Sequence, residues 1–224
     1  MKQQLLTTGD GSHTLFVPEL NEHYHSTSGA FQESIHVYIN EGFNFVQKHF
    51  IRILEIGFGT GLNALLTLNE SIRQNKKVYY ESIEAYPLAE DLWRSLNYNS
   101  ILADNGEGYF PVLHTADWGI ETPVTNLFTL KKINTLLDKY VSGQKFDLVY
   151  FDAFAPDVQP EMWTQAIFEK MAELMDENGI LVTYSAKGTV KQNLRNAGFA
   201  IRRLKGAGGK RHMLRAIKFN ENLT

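Results

Sequence analysis

The first residues able to do chemistry lie in Leu54-Glu55-Ile56-Gly57-Phe58-Gly59-Thr60-Gly61-Leu62-Asn63, where an acid and three glycines are spaced E-x-G-x-G-x-G. Glycines between a strand and a helix let the backbone turn sharply and let a ligand approach the main chain. A dinucleotide fingerprint would read G-x-G-x-x-G and rest a pyrophosphate on the helix N-terminus. Here the third glycine comes one residue early and Leu62 follows it. That form suits S-adenosylmethionine, a nucleoside with no phosphate, an amino-acid tail and a sulfonium charge, with Glu55, Phe58 and Asn63 beside the glycines. A nucleoside also needs its ribose held, usually by a carboxylate at the end of the second strand. Glu84 ends the run 78–84, and Pro87 prevents its continuation; Glu81 competes but lies further from the strand's C-terminal edge. Asp117 and Trp118 follow a third β-rich run and are placed to meet the adenine, carboxylate to amino group and indole against ring. Tyr24 is a further candidate for the cofactor wall.

A second element is Phe151-Asp152-Ala153-Phe154-Ala155-Pro156. An Asp at the end of a fourth, fully apolar strand borders the ligand crevice of such a sheet. Asp152 could orient an amine and take its proton directly or through water, while Phe154 and Pro156 pack on a flat substrate. The chemistry explains the carboxylate. An alkylammonium has no lone pair and a reference pKa of about 10.4 if lysine-like, so it must lose a proton to accept a methyl group. The segment broadly resembles the Asp/Asn-Pro-Pro-aromatic element of amino-methyltransferases.

These residues need a scaffold that brings strand ends together. Short β-rich runs alternate with helical ones from residue 51 onward. Strands are predicted at 51–56, 78–84, 112–116, 146–151 and 179–184. Helices are predicted from Leu62, Leu65 and Leu66, over 88–96, on the stripe Ile133, Leu136, Leu137, Tyr140 and Val141, after Trp163, and around Val190 and Leu194. Runs 199–204 and 213–219 are joined too closely for a crossover helix and should form an antiparallel hairpin. The expected class is α/β: a Rossmann-like methyltransferase with a mostly parallel seven-stranded sheet and a C-terminal antiparallel strand. Residues 1–50, with a strand at 14–17 and a helical segment at 31–40, read as an extension packed on the 51–224 core, one structural domain overall.

Composition narrows the function. With 43% apolar and 21% charged residues the chain is globular. No apolar run approaches the roughly 20 residues that span a bilayer, and no secretory h-region follows Met1. The absence of cysteine excludes disulfides, thiolate metal sites and cysteine nucleophiles, and points to the cytoplasm. His23 and His25 flank Tyr24, but no third ligand has metal-like spacing, so no metal is expected. No G-x-S-x-G elbow suggests a hydrolase. The net charge of −3 conceals a segregation: residues 187–218 hold ten basic residues and no acid, whereas residues 1–186 hold 12 basic against 24 acidic ones. Such a segment suits a polyanion. Lys187 lies nearest the crevice, and Lys210 and Arg211 flank a Gly-rich turn able to meet phosphate.

Tyr24-His25-Ser26, residues 55–63, Ser82 to Leu88, residues 151–156 with Trp163, Tyr184-Ser185-Ala186, Ala197-Gly198-Phe199 and residues 206–213 occur in an order that resembles the methyltransferase half of the MnmC family. These are bacterial enzymes that finish 5-methylaminomethyl-2-thiouridine at the tRNA wobble position. The likeness runs from about Gly9 to Phe219; Asp152 to Pro156 with Gly208 to Arg211 is its most specific part. It implies methyl transfer from S-adenosylmethionine to the exocyclic amine of 5-aminomethyl-2-thiouridine in tRNA. Gly57, Gly59, Gly61, Glu84 and Asp117 would then surround the cofactor, with Asp152 at the amine. Ala153 and His212 depart from the family pattern. The FAD-dependent oxidase half is expected to be missing, so aminomethyl-uridine would be made elsewhere, and a monomer is favoured. Two rivals stay open: a small-molecule N-methyltransferase, which needs no basic face, and a non-catalytic RNA-binding module.

Overall fold

The computed structural model describes residues 3–102 and 108–219. Three strands, β1 (Gln4–Thr7), β2 (His13–Val17) and β3 (Glu22–His23), form a small antiparallel sheet. Helix α1 (Ala30–Ser34) runs directly into a π-helical segment, Ile35–Asn40. The main sheet then begins with β4 (Phe50–Ile56), followed by α2 (Leu62–Gln74), β5 (Lys77–Glu84), and the short helices α3 (Glu90–Arg94), α4 (Tyr98–Ile101) and α5 (Tyr109–Thr115). It continues through β6 (Glu121–Pro123), β7 (Phe128–Asn134), β8 (Phe146–Phe151), α6 (Gln165–Leu174), β9 (Met175–Thr183), α7 (Gly188–Asn196), β10 (Phe199–Lys205) and β11 (His212–Lys218).

The sheet order is β10-β11-β9-β8-β4-β5-β7-β6. Strands β7, β5, β4, β8 and β9 are parallel, and β11 runs antiparallel between β9 and β10. This is the expected seven-stranded arrangement, with the three-residue β6 added antiparallel at one edge. The chain leaves β4 toward β5 on one side and returns to β8 on the other. The crevice beyond β4 and β8 is therefore the switch point at which such sheets bind ligands.

All six residues of β8 are buried, as expected for a parallel strand covered on both faces. Alternate positions feed two cores. Ile53, Tyr80, Leu148 and Val182 pack with α2, Phe31, Val37 and Tyr38 on one face. Leu54, Tyr79, Val149 and Leu181 pack with Phe168 and Met171 of α6 and Val190 and Leu194 of α7 on the other. Among the described residues no helix is long and apolar enough to cross a membrane.

Two expected elements are corrected. Residues 112–116 are not a strand but fall largely in α5, which buries Phe110 and Leu113 one turn apart and stacks His114 on Trp93 at 4.7 Å. The third parallel strand is instead β7, where Phe128, Leu130 and Lys132 point inward. A buried lysine in an inward position disguises the alternation, because it reads as polar. The stripe from Ile133 to Val141 is not a helix either. Ile133 belongs to β7, and the remainder forms a turn with Leu137 and Tyr140 buried and Val141 86% exposed.

Candidate active site

A cavity of about 950 Å3 opens over the C-terminal ends of β4, β5, β7 and β8. The glycine loop forms its floor. Gly57 has φ +92 and Gly59 φ +50, left-handed values that favour glycine. A Cβ on Gly57 would stand 2.9 Å from the Asp152 carbonyl oxygen, and one on Gly59 3.1 Å from the Tyr24 ring. The loop is thus pressed between β8 and the N-terminal segment. Gly57 N–H donates to the Ile83 carbonyl at 2.9 Å, fastening it to the end of β5.

Glu84 ends β5 facing this loop. Its carboxylate accepts the Gly59 N–H at 2.9 Å and the Tyr86 N–H at 2.8 Å. Two backbone donors fix both oxygens yet leave lone pairs for further donors, the capacity a ribose diol requires. Tyr24 reaches over Gly59 and meets the Phe154 ring edge-on at 5.1 Å, bridging the glycine loop and the turn after β8 across the cavity wall. Burial and the nearby Glu84 charge push the Tyr24 hydroxyl up to about 12, so it stays protonated.

At the end of β8 Asp152 is half-buried, and its carboxylate accepts a hydrogen bond from Asn63 Nδ2 at 2.8 Å. The buried Tyr38 hydroxyl faces the same group. Burial lifts Asp152 to about 6, against the lowering pull of Tyr38 and Asn63. It is ionised at neutral pH yet basic enough to take a proton. The Tyr184 hydroxyl donates to the Ala153 carbonyl at 2.9 Å and holds the turn after β8. Lys210 crosses from the β10–β11 turn to pair with Glu33, and its ammonium lies 4.4 Å from the Tyr184 ring centroid.

Of the residues singled out by sequence, Tyr24, Gly57, Phe58, Gly59, Asn63, Glu84, Asp152, Phe154 and Lys210 share the cavity wall. Glu55 is fully buried beneath it, and Gly61 turns toward His114. Asp117 and Trp118 follow α5, outside the lining. Trp118 stands behind Phe58, ring centroids 6.3 Å apart, with the Lys132 ammonium near both rings. Pro156, Lys187 and Arg211 also lie off the wall; Lys187 pairs with Asp157, and Arg211 is exposed.

The end of the third parallel strand, where an adenine contact was sought in Asp117, is occupied by Thr135, Leu136, Leu137 and Asp138. Correct placement of β7 is the signal that would have found them. Glu33 and Tyr184 were missed as well. Tyr184 ends an apolar strand and was visible in principle, whereas nothing local to Glu33 marks it.

The glycine cradle and the braced acid at the next strand end fit the nucleoside and amino-acid parts of S-adenosylmethionine. Comparison with known proteins agrees. A family model for S-adenosyl-L-methionine-dependent methyltransferases matches residues 124–219. The crystal structure of MnmC2 from Aquifex aeolicus superposes with a TM-score of 0.77 at 27% identity, covering 96% of this chain and 70% of that one. Spermidine synthase from Thermotoga maritima shares the fold alone, with a TM-score of 0.56 at 12% identity over 97% of this chain and 72% of that one. The bifunctional tRNA 5-methylaminomethyl-2-thiouridine biosynthesis protein MnmC is 31% identical over 221 residues in Burkholderia multivorans and 32% over 215 in Burkholderia thailandensis. Each alignment covers 90% of this chain and 33% of the relative, so the chain spans about a third of the length of the curated relatives it matches.

Fold, site and family model together define an S-adenosylmethionine-dependent methyltransferase. Within that class, the chain is similar to MnmC2 and to about a third of the length of the bifunctional MnmC proteins.

Proposed function

We propose that this chain methylates the exocyclic amine of 5-aminomethyl-2-thiouridine at the tRNA wobble position, giving 5-methylaminomethyl-2-thiouridine. The observation that carries the reading is Asp152: a carboxylate at the switch point, oriented by Asn63, facing the cavity beside the glycine loop. The names of the relatives supply the substrate class.

When bound, S-adenosylmethionine supplies an electrophilic methyl group, and the departing sulfur keeps the bonding pair. Glu84 would hold the ribose hydroxyls, and residues 135–138 would border the base in place of Asp117 and Trp118. Gly57 and Gly59 would let the amino-acid tail lie against the main chain. Asp152 receives the substrate ammonium and takes one proton, which exposes the nitrogen lone pair. With that proton passed on to solvent, the carboxylate is ionised again and stabilises the charge that develops on nitrogen. Alignment of amine and methyl between Tyr24, Phe154 and Asp152 supplies the proximity term. The exposed Arg202, Arg203 and Arg211 would meet the phosphates around the anticodon loop.

The test incubates the chain with methyl-labelled S-adenosylmethionine and tRNA bearing 5-aminomethyl-2-thiouridine, followed by nucleoside mass spectrometry. Label is expected in 5-methylaminomethyl-2-thiouridine. Transfer to small amines with none to tRNA would reject the reading in favour of a small-molecule N-methyltransferase.

A further inference from the structure

Glu55 lies two residues before Gly57, where an acid is ordinarily read as part of the cofactor loop, yet it is fully buried and absent from the cavity wall. In the sheet register it sits between Ser82 of β5 and Tyr150 of β8. The Ser82 hydroxyl donates to its Oε2 at 2.6 Å. Among the described residues its other oxygen, Oε1, Asn63 Oδ1 and the Tyr80 hydroxyl are buried without a hydrogen bond of good geometry, and Tyr80 and Asn63 are the neighbours of Glu55. Asn63 is 3% exposed in the first turn of α2, and its Nδ2 is the group that donates to Asp152.

Hydrogen-bond accounting decides what this cluster needs. A carboxylate and an amide oxygen are acceptors only. An ionised Glu55 would be a fully buried charge with one hydrogen bond, and the donors left near it, the Tyr80 hydroxyl and the second Asn63 N–H, carry no compensating charge. A proton on Glu55 removes that buried charge and adds a donor to a set that holds the buried acceptor Asn63 Oδ1. The titratable groups facing Glu55 are Tyr80 from β5, Tyr150 from β8 and Asp152 beyond it, and among the described residues no lysine, arginine or histidine pairs with it. Thr67 meets Tyr150 at 3.3 Å and already donates to the Asn63 carbonyl, so neither adds a charge.

We propose that Glu55 is a positioning residue: as a neutral carboxylic acid it completes the buried network that fixes the Asn63 amide, and Asn63 in turn aims Asp152 into the cavity as the ionised member of the pair. Burial, and then the nearby charge of Asp152, raise Glu55 to about 8, in keeping with this division of roles. The inference deepens the reading of Asp152 as proton acceptor and rests on it.

Two measurements test it. Infrared spectroscopy of the free protein at pH 7 should show the carbonyl band of a protonated buried carboxyl, lost in Glu55→Gln and moved to the carboxylate region above about pH 8. This readout needs no substrate, so it separates the state of Glu55 from a failure of the proposed reaction. Turnover against pH, with cofactor affinity by calorimetry, supplies the second. The wild-type rate should fall as Glu55 ionises, and that alkaline limb should vanish in Glu55→Gln, whose amide replaces the acid O–H as donor. Glu55→Leu and Asn63→Leu should each lower kcat at least about thirtyfold, with Kd for S-adenosylmethionine within about threefold of wild type, and Glu55→Gln should recover most of that loss. Absence of the protonated-carboxyl band, or a tenfold weaker cofactor affinity in Glu55→Gln with kcat unchanged, would overturn it. The first outcome makes Glu55 an anion, and the second makes it a cofactor ligand.

Discussion

The carboxylate of Glu84, at the end of β5, accepts the backbone N–H of Gly59, in the turn after β4, at 2.9 Å. On the proposed reading this bond ties the acid that would hold the ribose to the loop that would cradle the rest of the cofactor, so one residue would both shape the site and serve it. Glu84→Ala should raise Kd for S-adenosylmethionine at least about tenfold, or 1.4 kcal/mol, with Glu84→Gln between the two. Titration calorimetry measures this; unchanged affinity in the alanine variant would remove Glu84 from the cofactor site.

Asp152 predicts two opposite pH dependences. As proton acceptor it must be ionised, so single-turnover rates should climb as pH passes about 6 and then level. Its pKa is raised on folding, so the folded state holds a proton that the unfolded state releases, and stability falls as pH rises from about 4 to about 6. Asp152→Asn should abolish this fall. It should be no more stable than wild type below about pH 4 and more stable by on the order of 2 kcal/mol above pH 6, while losing at least about a hundredfold in turnover. Thermal melts across pH and rapid-quench rates check the two halves separately.

Gly57 and Gly11 offer a paired measurement of crowding. Both have left-handed φ values, +92 and +83, but a Cβ on Gly57 meets the Asp152 carbonyl oxygen, and one on Gly11 meets nothing within 4 Å. Gly11→Ala should cost only the conformational strain, about 1–2 kcal/mol, with turnover intact. Gly57→Ala should cost more stability and also lower kcat, because the end of β8 must shift. Equal melting losses in the two variants would show that the contact contributes nothing.

Salt dependence can apportion the basic segment. Arg202 and Arg203 are exposed on the edge strand β10, whereas Lys187 is paired with Asp157 and Arg215 is buried against Glu41. If the exposed pair meets phosphate, Arg202→Ala/Arg203→Ala should reduce the slope of log K against log salt for tRNA by roughly 0.7–0.9 per lost contact. Lys187→Ala should change the slope less. A slope unaffected by the double substitution would place the nucleic acid on another face.

What could be read from sequence was what is local in the chain. The glycine turn, Glu84 and Asp152 each sit at the end of a strand whose apolar run announces it, and all three reach the cavity. The third strand was misread because Lys132 occupies an inward position at 1% exposure, and Asp117 and Trp118, expected at its end, lie outside the cavity lining. Lys132 is accommodated by donating to the His114 carbonyl at 2.5 Å and lying against Phe58 and Trp118, with burial holding its amine down to about 8. No propensity records such contacts. Glu33 escaped for a different reason: its role depends on Lys210, 177 residues away, which only the folded chain brings near. The charge segregation was real in sequence but partly internal in structure, since Lys187, Lys210 and Arg215 are spent on acids of the body.

The Lys210–Glu33 pair also orders events in time. Lys210 is made 177 residues after Glu33, and β11 must enter the sheet between β9 and β10 before the turn carrying Lys210 can close on α1. During synthesis the floor formed by β4, β5 and Glu84 can therefore assemble well before the Asp152 end of the cavity has its final wall. On the proposed reading, a nascent chain with that floor in place would still lack part of the face that receives the amine, so donor binding would precede competence for transfer.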